Sequence, residues 1–351
     1  MGLRVVCSTF LWYAAAIGVA AQVAAPHPSP TTHDIRPGPA VTATRLLSEW
    51  APSLAGTPGD TKVYILDGRE PGATVFVAGG THGNELAGIV AAVVLVEHAR
   101  VEKGRLIVVP HANNSAIADV DPERPGPEFV VVRTPGGERR FRYGSRRTKA
   151  ADQGAPDPGK YVHPKSKEEA DGTEARNLNR LYPGVADGTL TERIAFGIMR
   201  LIQRENVAVA FDLHEAAPES RLAWMMVANP KNIDTAAAAV LDLEGRGLSM
   251  KLENSSTTFR GLSHREWGDE SPAQAFLFET PSPSMVKDAK AIDFVNDPRL
   301  PLSRRVGGHL ASFVAVLAAY NASAPPGAGF SIVDVPGLAE TEKAGVGAFL
   351  R

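Results

Sequence analysis

From about residue 45 onward, short apolar runs alternate with longer segments of helical periodicity. Several runs are apolar on both faces, which is typical of strands in the middle of a sheet that helices cover on each side. The pattern predicts an α/β protein with a mixed, mostly parallel central sheet and helices on both faces. The predicted strands are Lys62–Leu66, Thr74–Val77, Arg105–Pro110, Val207–Leu213, Leu222–Val227 and Ala273–Phe278. The predicted helices are Glu85–His98, Thr191–Arg204 and Leu302–Tyr320.

The segment 118–175 does not follow this pattern. It is rich in Pro, Gly, Arg and Lys and predicts a long insertion that carries a small hairpin. Insertions of this length are functional loops or lids, or else disordered segments. We therefore expect one domain at residues 45–320 that contains this insertion. A carboxy-terminal tail at 321–351, with at most one strand at Phe330–Val333, follows it.

The amino-terminal segment has the layout of a secretory signal. An uncharged run follows Arg4 and passes through an apolar centre into small residues. We expect residues 1–21 to be removed on export to the periplasm or the exterior, which leaves no membrane contact. An uncleaved anchor is the alternative, since the run is just long enough to span a bilayer. Residues 22–44 then form a flexible linker. The only cysteine, Cys7, lies in the signal, so the mature protein has no disulfide or catalytic thiol.

Composition narrows the class of protein further. The 351 residues include 37 Lys and Arg against 39 Asp and Glu, for a net charge of −2. No overall basic field draws such a protein to nucleic acid. With 44% hydrophobic and 22% charged residues, the chain has the composition of a globular protein rather than a disordered one. The composition does not indicate an oligomeric state.

Polar residues with metal-binding chemistry follow two of the apolar strands. A glycine-rich segment leads to His82 and Glu85 at the start of a helix, where their spacing puts an imidazole and a carboxylate on one face. His214 ends another strand, and alternation puts Asp212 on the same face, where it can orient the imidazole. Two histidines and one glutamate leave a coordination position open for water, as in catalytic zinc sites.

Neither fragment is specific by itself. A histidine and a glutamate at this spacing occur on many helices, and a histidine at a strand end is often a hydrogen-bonded core residue. Their combination is more informative, because open α/β sheets bind ligands at the carboxyl ends of their strands, where both fragments lie. The sequence therefore predicts a metal site formed by His82, Glu85 and His214.

Two further groups of polar residues belong to the same region. The segment Arg176–Arg180 contains two arginines and two asparagines, which suit a carboxylate ligand. A solvated turn with helix-capping asparagines is the alternative. Glu279 ends the last predicted strand, and so much apolar surface favours a raised pKa and a role as general base or acid. The alternative for Glu279 is a carboxylate that points to solvent.

The order of these motifs resembles a known family. His-x-x-Glu at 82–85, Arg-Asn-Leu-Asn-Arg at 176–180, Asp-Leu-His at 212–214 and Phe-Glu at 278–279 follow one another as in zinc carboxypeptidases of the carboxypeptidase A type. The Gly-Gly-Thr-His-Gly-Asn-Glu opening is most similar to the succinylglutamate desuccinylase/aspartoacylase branch. The resemblance covers about residues 74–320, and four motifs in the right order are far rarer than any one.

The resemblance implies a role for each matching residue. His82, Glu85 and His214 match the ligands of one zinc ion per chain. Glu279 matches the glutamate that activates the water of that ion. The implied fold is that of the zinc carboxypeptidases.

The resemblance also implies a substrate-binding set. Asn179 and Arg180 match the pair that binds the substrate carboxylate. The family arginine that steadies the developing oxyanion has no direct counterpart, because its position falls near Gly172. Arg176 is the nearest substitute and is the predicted catalytic arginine. The alternatives lie in the long insertion and are Arg142, Arg146 and Arg147.

Two features depart from the desuccinylase branch. Glu85 and His214 are 129 positions apart, which is closer to the secreted carboxypeptidases. Only about 30 residues follow Tyr320, too few for the additional β domain of the aspartoacylases. The branches predict different pockets, so the fold alone does not define the substrate.

The expected function is zinc-dependent hydrolysis of an amide bond next to a free carboxylate, in an N-acyl amino acid or a short peptide. The alternatives are an exported zinc hydrolase that acts on esters and a noncatalytic carboxylate-binding protein with the same fold. Serine-hydrolase and nucleotide-binding motifs are absent from the sequence. Glu215 is expected to face the opposite side of its strand from His214. His264 is expected to lie in a solvated polar loop, and contact with the substrate is the alternative.

Overall fold

A nine-stranded mixed sheet runs through the protein, in the order β1-β2-β4-β3-β9-β12-β10-β11, with β13 paired to β4. The computed structural model describes residues 1–2, 35–121, 126–256, 258–287 and 291–351. Most of the predicted signal and linker, including Cys7, lies outside the described residues. The strands are β1 Ala43–Leu46, β2 Lys62–Asp67, β3 Glu70–Gly79, β4 Arg100–Val109, β5 Phe129–Thr134, β6 Gly137–Arg142, β7 Lys160–Val162, β8 Glu169–Asp171, β9 Val207–Ala216, β10 Met225–Ala228, β11 Lys251–Asn254, β12 Gln274–Pro281 and β13 Ser331–Val333.

Seven α-helices are present among the described residues. They are α1 Leu86–His98, α2 Asn114–Ala118, α3 Leu190–Arg204, α4 Ile233–Gly245, α5 Ser263–Asp269, α6 Leu302–Ser323 and α7 Leu338–Ala344. Helix α3 begins at a capping box, in which the side chain of Glu192 accepts from the backbone N–H of Thr189 at 2.8 Å. Such a box satisfies N–H groups that the first helical turn leaves without partners.

The four central strands, β4, β3, β9 and β12, run parallel to one another. Their apolar side chains alternate between the two faces of the sheet, so each face has its own core. Val75 and Val77 pack into the core that α1, α4 and α6 cover. Phe76 and Ala78 pack into the core on the other face, beneath α3 and α5. The predicted mixed sheet with helices on both faces is confirmed.

Helix α6 is long and apolar enough to cross a membrane by length and composition, and it is the one such helix in the described part of the chain. About three fifths of its apolar window, 61%, is buried inside the protein. Phe313 of α6 packs edge-on against Phe211 of β9, with ring centroids 5.1 Å apart. Burial of this kind identifies α6 as a core helix of the α/β fold.

Several parts of the chain have more structure than the sequence indicated. Residues 118–175 contain two hairpins, β5–β6 and β7–β8, rather than one. Residues 321–351, predicted as a tail, belong to the fold, because β13 pairs with β4 and Phe349 is buried in the core. Part of the predicted linker also belongs to the fold, since the backbone N–H of Gly38 donates to the carbonyl of Val96 in α1 at 3.1 Å.

A buried ion pair links the insertion to α1. Arg139 of β6 donates two hydrogen bonds, of 2.8 and 3.0 Å, to the carboxylate of Glu97, and both side chains are fully buried. The same carboxylate accepts from the backbone N–H of Arg36 at 2.7 Å. This site therefore holds the chain before β1, the hairpin and α1 together.

We predict that Arg139→Met lowers the free energy of unfolding by about 3–5 kcal/mol, because it leaves the Glu97 carboxylate buried without its positively charged partner. Urea unfolding followed by circular dichroism measures the change. The matched control is Glu49→Gln, which breaks the surface pair with Arg45 and should cost less than about 1 kcal/mol. Equal effects of the two substitutions would contradict the structural role assigned to the buried pair.

Candidate metal centre and cavity

The predicted metal-binding residues lie at the carboxyl end of the parallel strands. His82 lies in the turn after β3, Glu85 is the residue that precedes α1, and His214 lies near the end of β9. The turn depends on Gly80, whose φ of +68° is in the left-handed region that favours glycine. A Cβ at that position would come within 2.9 Å of the carbonyl oxygen of Pro110. The chain can therefore reverse tightly beside the sheet and bring His82 back to His214.

The three side chains form one buried cluster. Their potential ligand atoms lie within 4.8 Å of one another, and each residue is at most 2% exposed. His82 Nδ1 is 2.6 Å from Glu85 Oε1, and His214 Nδ1 is 2.8 Å from Glu85 Oε2. The structure thus brings together residues that are 129 positions apart in the chain.

Neighbouring polar groups orient both imidazoles from their far sides. His82 Nε2 donates to Asn177 Oδ1 at 2.9 Å. His214 Nε2 lies 2.8 Å from Asp212 Oδ2, a close contact that is not aligned as a hydrogen bond. Thr81 in turn donates to Asp212 Oδ1 at 2.8 Å. The role of Asp212 follows from strand alternation, whereas Asn177, a member of the predicted carboxylate-binding motif, could not be assigned to His82 from the sequence.

The residues of this cluster change one another's pKa. Burial would raise the pKa of Glu85, but the imidazoles of His82 and His214 together hold it well below its ordinary value. Burial lowers the pKa of His82, and Arg146 lowers it further. For His214, burial opposes protonation, yet Asp212 and Glu85 raise the pKa well above its ordinary value. Buried carboxylates therefore require positive charge between them, from protons or from a metal ion.

The arrangement fits a zinc ion. With Nε2 of His82 donating outward, its Nδ1 presents a lone pair toward the Glu85 carboxylate, and His214 presents Nδ1 to the same carboxylate. Two imidazole nitrogens and one carboxylate that converge in this way are the ligand set of catalytic zinc sites with one open position. Outward partners for ligand histidines are a usual feature of such sites.

Glu279 lies directly beside the cluster. It is the register partner of His214 across β12 and β9, is 9% exposed and lines the cavity. Its Oε2 has no hydrogen-bond partner among the described residues. Burial raises the pKa of Glu279 to about 8, against the opposing effect of His214, and the charge of Glu85 contributes to the increase. The structure therefore places Glu279 in a buried position at the cavity, instead of the solvent-facing alternative.

Asn179 and Arg180 also line the cavity. Asn179 Oδ1 accepts from the backbone N–H of Ser263 at 2.8 Å, and this bond fixes the orientation of the Asn179 amide. Arg180 donates from NH1 to the carbonyl of Asn179 at 2.7 Å, and its Nε lies 3.4 Å from Glu174 Oε2. Its guanidinium also lies over the ring of Phe259, 5.3 Å from the centroid. Both side chains are thus held by the protein beside the cavity.

The structure does not bring Arg176 to the cavity. Its Nε lies 2.8 Å from Asp157 Oδ1, and its NH1 donates to the carbonyl of Thr148 at 2.7 Å. Arg146, one of the alternatives in the insertion, lies at the cluster instead. Its NH1 is 3.5 Å from His82 Nδ1 and 3.8 Å from Glu85 Oε1, and it lines the cavity. The second hairpin, β7–β8, lies between these arginines in the chain, and sequence spacing could not show which of them lines the cavity.

Two residues that the sequence left aside have defined positions. Glu215 points away from His214, as alternation predicts, and accepts from Arg305 NH1 at 2.6 Å in a buried pair. The expectation for His264 is wrong, because it lies in α5, is 3% exposed and lines the cavity. Its Nε2 is 2.9 Å from Ser255 Oγ, and burial lowers its pKa to about 3.

The cavity itself has a volume of about 630 Å³, which is in the usual range for small-molecule sites. Its metal side contains His82, Glu85 and Arg146. On the other side of Glu279, the apolar residues Val227 and Leu277 form part of its lining. The cavity can therefore hold a ligand with both charged and apolar groups.

A comparison with solved structures finds proteins that are similar to this chain at low sequence identity. A succinylglutamate desuccinylase from a Silicibacter species is 18% identical, with a TM-score of 0.44, over 73% of this chain and 60% of that one. The ectoine utilization protein EutE from Ruegeria pomeroyi is 19% identical, with a TM-score of 0.44, over 73% and 61%. A metallo-carboxypeptidase from Burkholderia cenocepacia is 12% identical, with a TM-score of 0.48, over 82% and 66%.

This chain therefore spans about three fifths of the length of the desuccinylase and of EutE. No protein-family model and no curated protein matches the chain. The function proposed below therefore rests on the side chains of this protein.

We predict that the protein, once a chelator has removed its metal, binds one zinc ion per chain. Zinc should raise the thermal unfolding midpoint, because an ion that binds only the folded state stabilises that state. His214→Ala should abolish this increase. His98→Ala, at an exposed histidine at the end of α1, is the matched control and should retain it. An increase that persists in His214→Ala would place the metal elsewhere.

Proposed function

We propose that this protein is a zinc-dependent hydrolase that cleaves an amide bond next to a free carboxylate. The observation that carries the proposal is the convergence of His82, Glu85 and His214 in one buried cluster. His82 and Glu85 of this cluster line a cavity that Glu279 also lines. Three metal ligands that leave a coordination position open, with a free carboxylate beside them, form an arrangement that supports metal-assisted hydrolysis.

His82, Glu85 and His214 would hold the zinc ion, which when bound polarises a scissile carbonyl and lowers the pKa of water toward neutrality. Glu279 is placed to take a proton from the attacking water and to deliver it to the leaving nitrogen. A carboxyl group whose pKa lies near neutrality can transfer a proton in both directions. Its burial keeps bulk water from competing for that proton.

The arginines of the cavity have two different roles in this proposal. Arg146, beside His82 and Glu85, is placed to stabilise negative charge on the former carbonyl oxygen. Arg180 and Asn179 hold the substrate carboxylate, with the guanidinium as the charged donor and the amide as the directional one. Arg176 has no direct part in this proposal, because Asp157 holds it outside the cavity.

The substrate class follows from these groups. An N-acyl amino acid or a short peptide supplies both an amide and a nearby carboxylate, and the cavity is of a size for such a molecule.

We predict that the zinc-loaded protein releases amine from members of a panel of N-succinyl, N-acetyl and dipeptide substrates, and that amidation of the substrate carboxylate greatly reduces kcat/KM. Glu279→Gln should lower kcat by at least about 100-fold, because it removes the proton acceptor. Amine release assayed with and without chelator, together with zinc content, tests both statements. Near-normal turnover of zinc-loaded Glu279→Gln would contradict the assignment of the base.

The same assays test the two alternative functions. Preferential cleavage of ester analogues would support the ester alternative. Binding of zinc and carboxylate without turnover would support a binding protein.

A comparison of two arginines tests the corrected assignment. Arg146→Ala should lower kcat about 100-fold, as expected for loss of one donor to a developing oxyanion. Arg176→Ala is the matched control, since it removes an arginine that directly follows the same insertion and does not line the cavity. We expect its kcat to stay within about threefold of the wild type, because its interactions are with Asp157 and Thr148. The reverse ranking in steady-state assays would restore the original role of Arg176.

A further inference from the structure

We propose that Glu174 is a positioning residue that fixes both the carboxylate-binding Arg180 and the metal ligand His82. Glu174 belongs to none of the motifs singled out in the sequence, and it does not line the cavity. This inference rests on the proposed function in taking Arg180 as the group that binds a carboxylate and His82 as a metal ligand.

The first half of the link runs toward Arg180. Glu174 Oε2 lies 3.4 Å from Arg180 Nε, and the side chains are 15% and 25% exposed. Arg180 NH1 is occupied by the carbonyl of Asn179 at 2.7 Å. These two contacts fix the plane of the guanidinium. They leave NH2 without a partner among the contacts of the described residues, available for a ligand in the cavity.

The second half of the link runs toward the metal site. Asn177 Nδ2 donates to Glu174 Oε2 at 2.8 Å, and Asn177 Oδ1 accepts from His82 Nε2 at 2.9 Å. The Glu174 carboxylate and the backbone N–H of Asn179, which donates to Asn177 Oδ1 at 3.0 Å, together fix the orientation of the Asn177 amide. That amide in turn fixes which nitrogen of His82 carries the proton and which faces Glu85.

Glu174 also balances a cluster of positive charge. Its Oε1 lies 3.3 Å from Arg147, and Arg146 and Arg180 are close enough to lower its pKa. Without a carboxylate among them, these guanidinium groups repel one another. One carboxylate thus contacts both a guanidinium that lines the cavity and an amide that contacts His82.

Two substitutions separate the two halves. Glu174→Gln removes the charge that holds Arg180 but keeps an oxygen that can accept from Asn177 Nδ2. Glu174→Ala removes both interactions. The matched control is Asp157→Asn, which weakens a similar carboxylate–arginine pair, with Arg176, outside the cavity.

Equilibrium binding is the readout, with succinate as the carboxylate probe, succinamide as its uncharged counterpart, and zinc measured against a chromophoric chelator. For zinc-loaded Glu174→Gln we expect succinate affinity to fall about tenfold, the equivalent of about 1.4 kcal/mol. Its zinc affinity should stay within about twofold of the wild type, since the contact to Asn177 is retained. Glu174→Ala should lose succinate affinity and also at least about tenfold in zinc affinity. Asp157→Asn should change neither.

Several outcomes would overturn the proposal. If Glu174 only competed with ligands for Arg180, Glu174→Gln would bind succinate more tightly than the wild type. Unchanged zinc affinity in Glu174→Ala would remove the link to His82. If Glu174→Gln fails to fold, Glu174→Asp provides the second test. It keeps the charge but shortens the reach, so a positioning role predicts weaker succinate binding and a pure charge effect predicts no change.

The two proposals can fail separately. A protein that binds zinc and succinate in this manner but hydrolyses no member of the panel would contradict the proposed hydrolysis alone. An active hydrolase whose Glu174 variants bind zinc and succinate like the wild type would contradict the positioning role alone.

Discussion

The carboxylate of Glu85 is the group on which the rest of the site depends. Its two oxygens face His82 Nδ1 and His214 Nδ1, and Oε2 also accepts from the backbone N–H of Glu215 at 3.1 Å. Because this residue immediately precedes α1, the same carboxylate connects the start of that helix to the end of β9. A buried carboxylate with this many partners constrains two strand ends and one helix at once.

That constraint explains why the other functional groups lie where they do. Parallel strands bring their carboxyl ends to one edge of the sheet, so β9 and β12 present His214 and Glu279 side by side. The insertion then supplies Arg146 from one side, and the short helical turns before α3 supply Asn179 and Arg180. In the proposed function, the strand ends and the turn after β3 thus provide the metal ligands and the proton acceptor, and the loops provide the groups that recognise a substrate.

Much of this arrangement could be predicted from the sequence. Strands that are apolar on both faces identified the central sheet, and the polar residues that end them identified the cluster around Glu85. The contacts between loops could not be predicted, because they depend on how residues far apart in sequence meet in three dimensions. Arg176 and Arg146 are chemically equivalent in the sequence, and only the folded structure shows that Arg146 lines the cavity whereas Asp157 and Thr148 hold Arg176 outside it. The sequence around His264 is typical of a polar loop, yet these residues form the buried helix α5. The ring of Trp267 in this helix packs between those of Phe76 and Tyr182, with a centroid distance of 5.4 Å to each.

The central claim concerns the identity and position of the metal. Anomalous diffraction at the zinc absorption edge, from crystals of the zinc-loaded protein, tests it most directly. The account predicts one strong peak per chain among His82 Nδ1, the Glu85 carboxylate and His214 Nδ1. No peak at that position, with or without zinc bound elsewhere on the chain, would contradict it.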